Sequence, residues 1–180
     1  GNIAFTPPKI ISDLSELPLL LKLMSVCPIT DIDLENLLKK LRAELLMSVK
    51  NLDNSSKILQ FQSALALQCF TNEYIYNYSD AEEKALSTLE ESVKQTLTSG
   101  TQPSPSSILC LASFKPLKEY TWSSLLLVNE EIKEVFTRQI IEPEKEIKIR
   151  QSLPLQDVIT DKVSSKVQKQ YEASPYPRWI

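Results

Sequence analysis

Apolar residues recur every three or four positions through most of this chain and seldom alternate one by one. From Asp31 to Lys50, the residues Leu34, Leu37, Leu38, Leu41, Leu45, Leu46 and Val49 form one stripe. Glu35, Lys39, Lys40, Arg42 and Lys50 lie mainly off it, so the segment predicts an amphipathic helix with one buried face. Thr30 or Asp31 is placed to cap that helix, and Asn51 to Asn54 supply a stop. Ser12 to Val26 reads as a shorter Leu-rich helix. In it, Pro18 either kinks the chain or sits in the first turn of a helix starting at Glu16 or Leu17.

Ser55 to Tyr78 is apolar on several sides and predicts a central helix buried nearly all round. Ser79 and Asp80, each followed three residues later by Glu82 and Glu83, form overlapping capping-box patterns ahead of the stripe Leu86, Leu89, Val93 and Leu97. Gly100 is placed for a left-handed end to that helix. Ser104 and Pro105 then make a cap and a first-turn proline before Ile108 to Phe114. Between Pro116 and Val128 the pattern is ambiguous, but no partner strand is evident, which favours helical turns. Asn129 opens a helix with Ile132, Val135, Phe136, Ile140 and Ile141 on one face, which Pro143 breaks or kinks ahead of Glu144 to Gln151. Finally, Asp161 to Ala173 carries Val163, Val167 and Tyr171 at four-residue steps.

No tetratricopeptide period of about 34 residues emerges from these helices. The reading is an all-α fold, an irregular multi-helix bundle or array of about seven to nine helices with no sheet. Residues 2–160 are expected to form the helical domain, and 161–180 a terminal helix followed by an aromatic and proline strap.

Composition narrows the chemistry. The 180 residues contain no histidine, which removes the commonest general base and nitrogen ligand and with them triads, Cys-His dyads and His-based metal sites. Gly1 and Gly100 are the only glycines, too few for a phosphate-cradling loop or for the glycine-rich turn that usually holds S-adenosylmethionine. A net charge of -3 and a pI near 5.2 argue against nucleic acid and anionic membranes as partners. Mean hydropathy of -0.16 and short apolar runs argue against a membrane span. Cys27, Cys69 and Cys110 are odd in number and sit in apolar surroundings, which reads as buried free thiols in a reducing cytoplasm. Gly1-Asn2, with no initiating Met, reads as a processed tag remnant on an excised fragment.

Three constellations stand out. Asn72, Glu73 and Tyr74 open a run of amides, a carboxylate and tyrosines at the end of the central helix. With Gln68 nearby, and with Cys69 and Asn77 at helical spacing, Glu73 is a candidate general base in a buried polar site. The competing and favoured reading is that hydroxyls and amides there satisfy one another. Glu130, Glu131, Glu134, Glu142, Glu144 and Glu146 interleave with Lys133, Lys145 and Lys148, which reads as a solvated helix face and not a metal site. In the terminal segment, Tyr171, Tyr176, Arg178 and Trp179 are candidates for interdomain or substrate contact. The strap reading is favoured over a pocket lid, since Pro175 and Pro177 force extended backbone.

That segment, Gln170-Tyr171-Glu172-Ala173-Ser174-Pro175-Tyr176-Pro177-Arg178-Trp179, resembles the Q-Y-E-x-x-P-Y-P-R-W stretch just upstream of the methyltransferase domain in a group of bacterial S-adenosylmethionine-dependent methyltransferases. Many of those proteins carry tetratricopeptide repeats. Val163-Ser164-Ser165-Lys166-Val167 is similar to the family's approach helix, and Ala66 to Tyr74 to its A-x-Q-C-F-x-N-E-Y helix. The resemblance runs from about Gln60 onward. It implies an all-helical accessory domain, with no catalytic, cofactor or metal residues of its own, ahead of a class I methyltransferase domain expected to begin after Ile180. It further implies S-adenosylmethionine as cofactor of the full-length protein, the chain's own methyltransferase domain as partner, and a role in recognising a protein substrate or covering the active site. The alternative is a non-enzymatic helical interaction scaffold, tetratricopeptide-like in its use of grooves.

Overall fold

The computed structural model describes residues 7–52, 55–152 and 162–173. Among them there are helices and turns and no strand, so the all-α expectation holds. The chain divides into two compact units, Gly1–Pro143 and Glu144–Ile180.

The first unit is built around one helix. Its α-helices are α1 (Pro7–Ser15), α2 (Pro18–Val26), α3 (Ile32–Ser48), α4 (Ser56–Thr71), α5 (Asp80–Thr98), α6 (Pro105–Ala112) and the short α7 (Lys133–Phe136). α1, α2, α6 and α7 all pack on α4, while α3 and α5 pack on each other and both reach α6. Two hydrophobic clusters result. One joins Leu67 of α4 to Leu89, Val93 and Leu97 of α5, Leu109 and Leu111 of α6, Trp122 and Val135. The other joins Phe61 and Leu65 of α4 to Met24 of α2 and Leu38 and Leu41 of α3. A helix whose Leu65 and Leu67, two residues apart, belong to different clusters must be covered on opposite sides, which explains the mixed apolar pattern of α4.

Several boundaries differ from expectation. Ser12 to Val26 is two helices, not one, and residues from Pro7 onward are already helical. Pro18 is the first residue of α2, where its missing N–H is no loss. α4 ends at Thr71, seven residues before Tyr78, because the chain turns there through left-handed Glu73 (φ 59°) and Tyr74 (φ 58°). Tyr74 N–H donates to Cys69 O (2.8 Å) and Glu73 N–H to Phe70 O (3.2 Å), a Schellman closure made without glycine. Of the break or kink expected at Pro143, the break does not occur: α8 (Glu142–Ser152) includes it. The preceding turn, Thr137–Ile141, is π-helical, with Glu142 N–H reaching Thr137 O. A wider turn relieves the crowding that the proline ring would impose on the carbonyl four residues back.

Other local predictions hold. Asp31 caps α3 by accepting from Leu34 N–H (2.8 Å). Ser79 and Glu82 complete a reciprocal capping box at α5. Gly100 (φ 81°) ends α5, with Thr101 N–H on Thr96 O and Gly100 N–H on Leu97 O. Ser104 caps α6, and Pro116 to Val128 forms 3-10 turns at Leu117–Glu119 and Ser123–Leu125. The second unit holds most of α8 and α9 (Lys162–Ala173). Nine α-helical segments are thus seen among the described residues.

Candidate functional site

The buried polar residues come first, because buried polarity is where chemistry is often found. Arg42 is 1% exposed, although the sequence pattern places it mainly off the buried stripe of α3. Its guanidinium donates to Ser113 O (3.4 Å), Tyr76 O (3.1 Å) and Asn77 O (3.3 Å). It also lies 4.2 Å from the Phe114 ring centre and 5.5 Å from that of Tyr76. Its partners are carbonyls and rings, so it acts as a clamp that joins α3 to the end of α6 and to the segment leading into α5.

Three buried glutamines do similar work. Gln62 donates to Ser106 O (3.3 Å) and accepts from Ser106 Oγ (2.7 Å), which ties α4 to α6. Gln139, in the π-helical turn, accepts from Leu117 N–H (3.0 Å) and donates to Ala66 O (3.3 Å) and Ala112 O (3.1 Å). Gln68, with its amide nitrogen turned to the carbonyls, donates to Cys27 O (3.0 Å) and Met24 O (3.1 Å) and accepts from Ile29 N–H (2.9 Å). These amides reach backbone groups of neighbouring elements, so each ties one packed segment to another while its own buried polar atoms are satisfied.

The predicted polar site around Glu73 does not form. Asn72 is buried, Tyr74 half-buried and Glu73 exposed. Because α4 has ended, the helical spacing from Cys69 through Glu73 to Asn77 no longer places them on one face. Gln68 is committed to the end of α2. Asn72 Oδ1 accepts from Tyr74 N–H (3.2 Å), and Tyr74 Oη donates to Ala112 O (3.2 Å). Asn72 and Tyr74 thus cap α4 and anchor it to α6.

The thiols are all free, with Cys69 and Cys110 buried and Cys27 half-buried. Burial pushes the Cys69 thiol up to about 11, with nearby Arg42 pulling it part of the way back. It pushes Cys110 up to about 12. Such thiols are poor nucleophiles near neutral pH. No group of three or more metal-ligating side chains occurs among the described residues.

A cleft of about 610 Å³ opens between α2, the first half of α4 and the approach to α7. Leu21, Leu59 and Ala64 contribute apolar lining, Ser56, Gln60 and Ser63 a polar strip along α4, and Glu130, Glu131 and Glu134 an acidic side, with Lys22 the one basic lining residue. Glu130 pairs with Lys133 (3.1 Å). Neither Glu131 nor Glu134 has an ion-pair partner among the described residues. The central helix is therefore not buried all round: Ser56 and Gln60 are exposed. Their polar spacing of three and four was the available signal, hidden by the apolar density of Ser63 to Leu67. The glutamates are indeed solvated, but three of them also border a cavity.

Of the terminal candidates, Tyr171 lies on α9 and is 60% exposed, whereas Tyr176, Arg178 and Trp179 fall outside the described residues. No helix among the described residues is long and apolar enough to cross a membrane. Compared with the known protein families, the curated proteins and the solved structures, the chain matches none.

Proposed function

We propose that this chain is a non-catalytic helical accessory region of an S-adenosylmethionine-dependent methyltransferase, working in the cytoplasm beside its own methyltransferase domain. The observation that carries this reading is the similarity of Gln170 to Trp179 to the segment preceding that domain in such enzymes. Two features support it. The described residues form helices and turns and include no strand, which fits an accessory region whose cofactor is seated on the sheet of a separate class I domain. Buried Arg42, Gln62, Gln68 and Gln139 are occupied with backbone groups, which leaves recognition as the task of the surface.

The reading is tested on the gene. Continued past the codon for Ile180, it should encode a strand, a glycine-rich turn and an acidic residue after the next strand; a stop or an unrelated domain overturns the proposal. Calorimetric titration of the present chain with S-adenosylmethionine should give no binding heat, and measurable affinity would mean the cofactor site is misplaced. A helical interaction scaffold is the second reading, favoured by the open cleft on α4.

A further inference from the structure

We infer that the cleft between α2, α4 and α7 is a docking groove for a basic amphipathic helical segment of another protein. The inference shares with both functional readings only the premise that recognition is the surface's task. It names the chemistry of what is recognised.

Three independent features of the groove select that occupant. The first is shape: at about 610 Å³ it admits several side chains, within the usual range for binding clefts. The second is apolar surface continuing outside the cavity. Leu19, Leu23 and Val26 occupy one side of α2 at steps of four and three, and they are 83%, 45% and 36% exposed. On the same helix, Leu21, Lys22 and Ser25 line the cleft, so cavity and ridge adjoin across Lys22. A small cation would use the cavity and leave the ridge in water, whereas a helix lying along α2 covers both. The third is charge. Glu131 and Glu134 have no ion-pair partner among the described residues, and Lys22 stands on the opposite wall, on α2. An occupant is thereby oriented with its basic residues toward α7 and its apolar residues over α2 and α4. An acidic segment is disfavoured by the same arrangement.

The test uses a fluorescently labelled peptide of about 15 residues, built from Leu, Ala and Lys with the lysines on one face, and the full chain. Anisotropy should report a Kd of about 10–100 μM at low salt, weakening as salt is raised. The double variant Glu131→Lys/Glu134→Lys should weaken binding about tenfold, and a peptide with Glu in place of Lys should recover affinity for that variant alone. Leu23→Ser should weaken binding of both peptides to their matched proteins, since the ridge is common to both. Glu91→Lys, half that charge change and placed on α5, should leave binding unaltered. A loss of about threefold for Glu91→Lys, half in free energy of the double variant's tenfold loss, would reduce the effect to overall charge and overturn the inference. No binding up to about 1 mM would also overturn it, while leaving the gene-level test of the methyltransferase reading untouched. Light scattering provides the remaining arm. A dimer that the double variant or Leu23→Ser dissociates would assign the groove to a second copy of this chain and sink the proposal.

Discussion

Arg42 illustrates how one residue can be misread when charge is taken as a sign of exposure. It lies one helical step from Leu41 and faces the core because three carbonyls and an aromatic ring await it there. Replacing it with Met keeps its bulk but leaves those carbonyls without their donor. Arg42→Met should therefore destabilise the fold by about 2–3 kcal/mol, read as a lower urea midpoint. Arg42→Lys should not restore the loss, since one ammonium cannot fork among three acceptors. Undiminished stability of Arg42→Met would show that the carbonyls find other donors.

The thiols give a second test at this scale. Unfolded, Cys69 and Cys110 ionise near their ordinary value of 9.0; folded, they do so at about 11 and about 12. The raised folded values mean that the contribution of these thiols is complete below pH 9 and is lost as pH climbs through 11 to 12. Tyr76, raised by burial from 10.0 to about 12, adds to the same trend at higher pH. Urea stability should thus decline from about pH 9 upward, with part of the slope removed in Cys110→Ala. A flat profile would mean that burial of these groups is overstated.

At the scale of elements, two helix ends use the same left-handed backbone with opposite suitability. Gly100 is at ease at φ 81°, and nothing lies within 4 Å of where a Cβ would sit. Gly100→Ala should nonetheless cost about 1 kcal/mol, from backbone strain alone. Glu73 holds φ 59° with a side chain, so Glu73→Gly should stabilise by up to about 1 kcal/mol. Calorimetric melting temperatures that move in opposite directions would confirm the common cause; a loss for Glu73→Gly would show that its side chain contributes more than the strain removes.

On the scale of the molecule, α4 contributes Leu65 to one hydrophobic cluster and Leu67 to the other. One helix cannot unfold against half of its surroundings, so the two clusters should melt together. Cys69 lies in the first of these clusters and Cys110 in the second, which makes each thiol a reporter. Pulsed thiol labelling across a urea series should give the same midpoint at both cysteines. Leu65→Ala and Leu67→Ala should each lower that shared midpoint, by about 2–5 kcal/mol of stability. Separate midpoints would divide the unit into two folding domains.

The sequence alone determined the helical class, the ends at Gly100 and Ser104, the narrowing of two further caps to Thr30 or Asp31 and to Ser79 or Asp80, and most of the apolar stripes, because these depend on contacts within a few residues. Only the tertiary structure decided that α4 stops at Thr71, that Pro143 is carried over a π-helical turn, and that Arg42 and three glutamines turn inward. It also decided that Glu130, Glu131 and Glu134 border a cleft with Ser56, Gln60 and Ser63, residues more than sixty positions away. Polar side chains carry no periodic signature of the carbonyl or cavity they will meet. Their placement follows from which distant backbone ends are brought beside them, and that is settled only when the helices pack.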